Sequence, residues 1–156
     1  MIKLSTKNHT NENESKNLGQ EFSLNLIMFH QTMAEKVGLN LTDYKVLGII
    51  PSEGLTAGQI ASITGLSTGM VTTVLDRLEK KDFVYRERDG SDRRKVNVKA
   101  NFEKIASEIG PYFQSFGKEM GKITSDYSPE EFNIINDYMR KSIEVFKLEM
   151  KKLKEK

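Results

Sequence analysis

The sequence predicts a mainly α-helical chain broken by one small β-hairpin, and three observations predict it. Apolar residues recur every three or four positions along most of the chain, the spacing of a helix face. Between Phe83 and Lys99 the period changes: Val96 and Val98 alternate with Lys95, Asn97 and Lys99, and Asp89-Gly90 supplies a turn. Upstream, two short helical segments flank Gly65-Leu66-Ser67, which reads as a glycine to turn on, an apolar plug and a helix-capping serine.

Taken in order, residues 1–17 are polar and have nothing to bury, so they are expected to form a flexible tail. Phe22, Leu26, Phe29, Met33 and Val37 then lie at helical spacing, and Gly38 stops the run. Leu24, Ile27 and Met28 widen that apolar surface, as for a helix with two neighbours. A second helix is predicted from Thr42 as cap, with Tyr44, Val46, Leu47 and Ile50 buried and Pro51 and Gly54 closing it. Thr56 and Gln59 form a capping box for a third, with Ile60, Ala61 and Ile63 inward and Gly65 at its end. The fourth starts at Ser67 and buries Val71, Val74, Leu75 and Leu78.

Beyond the hairpin, a stripe from Phe102 through Ile109, Phe113, Phe116 and Ile123 to Tyr127 predicts one long helix, kinked at Gly110-Pro111. Ser128 caps the last helix, Pro129 sits in its first turn, and Phe132, Ile135, Met139, Ile143, Phe146, Met150 and Leu153 make a stripe close to a coiled-coil seam.

The 156 residues suffice for one domain, or for a small domain with an oligomerising extension. A net charge of +2 argues for no partner, so nucleic-acid binding would need a local basic patch. The absence of cysteine excludes disulfides, thiolate zinc sites and thiol redox switches, and two histidines make a transition-metal sensor a poor fit. Neither a membrane span nor a signal-peptide core is apparent, which makes the cytoplasm the expected compartment.

Gly65-Leu66-Ser67-Thr68-Gly69 also matches the nucleophile elbow of serine hydrolases. That reading needs a strand before the serine and a histidine after it. Here a helix-patterned segment precedes Ser67, and both histidines, His9 and His30, lie upstream. No catalytic residue is therefore assigned, and no cofactor or metal is expected.

The helix-turn-helix reading is self-consistent. Ala61 is small where the two helices would cross, and burial of Val71, Val74, Leu75 and Leu78 turns Thr68, Gly69, Thr72, Thr73 and Asp76 outward. Small polar groups at a helix start can approach base edges in a major groove, although a solvated helical hairpin would show the same face. The hairpin adds six basic residues (Arg86, Arg88, Arg93, Arg94, Lys95, Lys99) against three acids (Glu87, Asp89, Asp92). A basic tip directly after a helix-turn-helix fits a DNA wing, with Arg93 and Arg94 able to reach a minor groove. The rival reading is a solvated hairpin whose charges blunt its edge.

Residues Ser67 to Val98 resemble the winged-helix core of the MarR family of bacterial transcriptional regulators. The likeness rests on Asp76-Arg77-Leu78-Glu79 and on the wing pattern of Asp89, Asp92, Arg93 and Arg94. The order of elements is similar over nearly the whole chain. Asp82 departs from the pattern, since the family usually has glycine there; aspartate tolerates the left-handed conformation better than most residues.

The resemblance implies a winged helix-turn-helix module over residues 40–100, with helical dimerisation regions over 18–38 and 101–154 forming one structural unit with it. It implies a ligand-responsive repressor that binds a pseudo-palindromic DNA operator as a homodimer, through recognition helix 67–80 and wing 83–99. It places Ser67, Thr68, Gly69, Thr72 and Thr73 at the major groove, Arg93 in the minor groove, and Arg94 and Lys95 near phosphates. Asp92 would orient the wing by pairing with an arginine such as Arg77, or would simply close the turn. Phe22, Leu26, Phe132, Ile135, Met139, Ile143, Phe146 and Met150 are expected at the dimer interface, their stripes being broader than one small winged domain can cover. The family's ligand crevice points to Phe29, His30, Met33 and Tyr44 for a small-molecule effector, though core packing explains the apolar ones equally and His30 also reads, more readily, as a partly exposed helix residue. A winged-helix protein-interaction adapter that never touches DNA is the alternative from another class; it would have no need of a cationic wing.

Overall fold

The computed structural model describes residues 6–88, 90 and 95–155, with side chains from residue 14 onward. Asp92, Arg93 and Arg94 of the expected wing site lie outside the described residues. The chain divides into two compact units, Met1–Pro111 and Tyr112–Lys156.

In the first unit, α1 spans Thr6–Lys36 and so begins inside the stretch expected to be a tail. Its first turns carry no apolar stripe that could have announced them, but no proline breaks them either. Gly38 follows with φ +68°, the left-handed stop expected of it. Helix α2 (Leu41–Gly48) is capped by Asn40, whose side chain accepts from the Asp43 amide at 2.8 Å. The expected cap, Thr42, instead lies within the first turn, because asparagine two residues earlier already satisfies the free amides.

Strand β1 is only Leu55–Thr56. Helix α3 (Ala57–Thr64) has the anticipated capping box of Thr56 and Gln59, and Gly65 closes it in the left-handed conformation at φ +74°. Ile60 is fully buried and Ala61 half-buried, but Ile63, expected inward, is exposed. Helix α4 (Thr68–Lys80) starts at Ser67, whose Oγ accepts from the Met70 amide at 3.3 Å. It buries Val71, Val74, Leu75 and Leu78, as its stripe predicts. Asp82 takes φ +61°, so an aspartate does turn the chain where glycine is usual.

Strands β2 (Val84–Arg88) and β3 (Val96–Ala100) form the hairpin, and β1 adds to the far edge of β3 to give the antiparallel order β1-β3-β2. Leu55 pairs with Val98, as does Arg86 from the other side. The core sits where α2, α3, α4 and this sheet meet, around Phe83, Ile60, Leu75, Leu78, Val46, Val71 and Val98. Met33 and Ala34 anchor the end of α1 to it, and Lys81 Nζ donates to the Gly38 carbonyl at 2.9 Å.

The predicted kinked helix is resolved into two, α5 (Phe102–Glu108) and α6 (Gly110–Ser125). Pro111 has no amide to continue α5 but is tolerated in the first turn of α6, so α5 ends before it and a new helix starts at Gly110. The second unit holds α6 from Tyr112 onward and α7 (Pro129–Lys154). Ser128 and Glu131 form the capping box of α7, with Pro129 in its first turn.

Candidate nucleic-acid interface

The burial of one side of α4 fixes what the other side offers. Ser67, Thr68, Gly69, Thr72 and Thr73 are all exposed at its start. The hydroxyls of Thr72 and Thr73 donate to the carbonyls of Thr68 and Gly69, each at 3.0 Å. Their methyl groups and oxygen lone pairs are what remain for an outside partner. No side-chain atom blocks the approach at Gly69: a Cβ built there meets nothing within 4 Å. Ser67 is a helix cap preceded by helix α3, without the strand that an elbow nucleophile requires.

Arg77 leaves this face for α2. Its Nε donates to Asp43 Oδ2 at 2.9 Å and its Nη2 to Oδ1 at 2.5 Å, a two-pronged pair. The Asp43 carboxylate is buried, while Arg77 keeps 43% of its side chain exposed. The hydrogen bond to Asp43 raises the guanidinium pKa above its ordinary value, so this cation stays charged. Asp92, expected either to pair with an arginine such as Arg77 or to close the turn, lies outside the described residues; the Arg77 guanidinium is held by Asp43, a residue the sequence left unassigned. A separation of 34 residues leaves no periodic signal by which the pair could have been found.

Asp76 is also turned away from the expected recognition face. It meets Arg86 of β2, whose Nη2 donates to its Oδ1 at 2.6 Å while Nη1 donates to Glu79. Lys99 pairs with Glu87 at 2.5 Å. Among the described residues of the hairpin, Arg86 and Lys99 are thus engaged with acids of the domain itself. Lys95, just before β3, is exposed.

A cleft of about 730 Å³ runs beside α4, lined by Gln31, Asn40, Thr42, Ser67, Thr73 and Arg77 among others. None of the four expected effector residues lines it. Those four gather elsewhere in the first unit. The His30 ring lies 5.7 Å from Phe29 and 5.8 Å from Tyr44, centroid to centroid, and Met33 is buried in the core. His30 Nδ1 is enclosed with no hydrogen-bond partner among the described residues, and burial pushes the Tyr44 phenol pKa up.

The expected dimer residues are mostly open. Phe22 and Leu26 on α1 are exposed, as are Ile135, Met139, Ile143, Phe146 and Met150 on α7, whereas Phe132 is half-buried. Among the described residues no helix is long and apolar enough to cross a membrane.

A helix-turn-helix followed by a β-hairpin, with a third strand closing the sheet, is a winged helix-turn-helix domain. Residues 39–96 match the model of the MarR family. A curated relative, the uncharacterized HTH-type transcriptional regulator YcgE of Bacillus subtilis, is 42% identical over 98 residues. That match covers 61% of this chain and 64% of the relative, less than two thirds of its length. Among solved structures, the Staphylococcus aureus MepR–DNA complex superposes with a TM-score of 0.57 at 21% identity, covering 83% of this chain and 96% of that one. MepR bound to ethidium bromide gives 0.61 at 21% identity, covering 84% and 95%. Both likenesses are of fold.

Proposed function

We propose that this protein is a transcriptional regulator that binds a pseudo-palindromic operator as a homodimer in the cytoplasm, acts as a repressor, and is released by a small molecule. It has no catalytic role. The observation that carries the reading is the start of α4, where five small residues stand exposed on a helix whose opposite side is locked into the core. Ser67, Thr68, Gly69, Thr72 and Thr73 meet base edges and backbone in the major groove, and the wing supplies Arg93 to the minor groove with Arg94 and Lys95 at phosphates. The recognition face has no lysine or arginine before Arg77, so the commonest guanine contact is missing and DNA shape provides much of the specificity. MepR, similar in fold, has been solved with DNA and with ethidium, which supports both the DNA and the effector parts of the reading. Phe29, His30 and Tyr44 form the aromatic wall of the effector site, and His30 Nδ1 is its polar anchor.

An electrophoretic shift with the DNA upstream of the protein's own gene, repeated at rising salt, tests the reading. A specific complex whose affinity falls steeply with salt is expected. No shift on any fragment would leave a winged domain that serves protein contacts. Within the complex, Arg93→Ala should lower the salt slope by about 1 if this arginine neutralises a phosphate in the groove.

A further inference from the structure

Arg86 lies on β2 directly opposite Val98, and cross-strand partners share a face. Val98 is buried, so Arg86 is on the inward side of the hairpin, reaching α4 beyond the edge of the core. There it meets two acids on consecutive turns of α4, Asp76 and Glu79, which occupy i and i+3 positions on one side of the helix. Arg86 remains one-third exposed. A planar guanidinium that engages two carboxylates at once fixes an angle as well as a distance. Its two ends belong to the two elements that the proposed function brings to DNA, one to each groove.

We infer that Arg86 is a positioning residue that yokes the wing to the recognition helix through Asp76 and Glu79, so that the two present a fixed spacing to DNA. It does so in place of the phosphate contact that a basic wing residue suggests. The inference rests on the DNA-binding reading for its consequence, but the yoke itself is a property of the free protein.

The two roles make opposite predictions for the acids. Neutralising Asp76 and Glu79 adds two units of positive charge beside the DNA, which by electrostatics alone should tighten binding. If they hold the wing through Arg86, Asp76→Asn with Glu79→Gln weakens operator binding instead, by about threefold to tenfold for a networked surface pair. Adding Arg86→Gln to that double variant then costs little more, and the salt slope stays the same in every background. Arg86→Lys, which keeps the charge but not the two-pronged geometry, restores only part of the loss.

The chain has no cysteine, so spin labels at Thr72→Cys on α4 and Val96→Cys on β3, both exposed, report the spacing without background. Pulsed dipolar spectroscopy of the free protein should give a narrow distance distribution with Arg86 present and a broadened one in Arg86→Gln and in Asp76→Asn/Glu79→Gln. Tighter operator binding by the double variant would overturn the inference. So would a salt slope lowered by about 1 in Arg86→Gln, or unchanged distance distributions. Broadened distributions in a protein that binds no DNA would uphold the yoke and sink the regulator reading instead.

Discussion

Removing the Arg77 side chain leaves the Asp43 carboxylate, 2% exposed, without the guanidinium that it accepts from. Arg77→Ala should therefore cost about 2–4 kcal/mol of stability, below the full penalty of a wholly buried pair because solvent already reaches the arginine side. Asp43→Asn keeps an acceptor for Arg77 and removes the buried charge, so it should cost only about 1 kcal/mol. Urea unfolding of the two variants checks the ordering, and equal losses would mean that the pair does not hold α2 to α4. At this scale the sequence was legible where the partner is local. Ser67, Gly65 and the Thr56–Gln59 box read correctly because a cap and its amide lie three residues apart. Asn40 was missed in favour of Thr42 because both can cap, and only the backbone says which one is still outside the helix. The Asp43 partner of Arg77 was not foreseen because it comes from tertiary packing.

The elements themselves follow their apolar periods closely, and α4 is the clearest case. Its stripe predicted the buried side residue by residue, so the exposed side followed by subtraction. What the period could not show is that Asp76 leans to the wing and that the two threonine hydroxyls are spent on their own helix. That second point gives a prediction. If Thr72 reads DNA through its methyl group, Thr72→Val should keep operator affinity within about twofold. Thr72→Ser, which keeps the hydroxyl and loses the methyl, should lose more and relax preference at one base pair, by up to about 1–3 kcal/mol of discrimination. A titration over single-base operator variants separates these outcomes, and the reverse ranking would assign readout to the hydroxyl. Strand β1 escaped the sequence because two residues have no period, and the first turns of α1 escaped it because a wholly polar helix has no stripe. Ile63 fits the helical spacing of α3 yet is exposed, since a helix of eight residues has room for one buried face and Ile60 occupies it.

For the whole molecule, the surplus is apolar surface. On α7 alone Tyr138, Phe146 and Leu153 are each about 70% exposed, and α1 shows Leu18, Phe22, Leu24, Ile27 and Met28 to solvent. Rows of exposed apolar residues along one helix are the kind of surface that a partner covers. The seam spacing of Ile135, Met139, Ile143, Phe146 and Met150 suits a second helix packed along it. A second copy of the chain is the occupant that the proposed operator symmetry asks for, with two α4 helices one turn of DNA, roughly 34–36 Å, apart. Ile143→Asp with Phe146→Asp should place charges in the middle of that seam while leaving the core of the first unit untouched. Sedimentation should then find a monomer at micromolar concentration. Operator affinity should fall by about 10²-fold or more, because two linked half-site contacts become independent ones. Thermal unfolding of the winged domain should still show a cooperative transition. A variant that remains dimeric would move the interface off α7, and a monomer that binds the full operator as tightly as the parent would remove dimerisation from the mechanism.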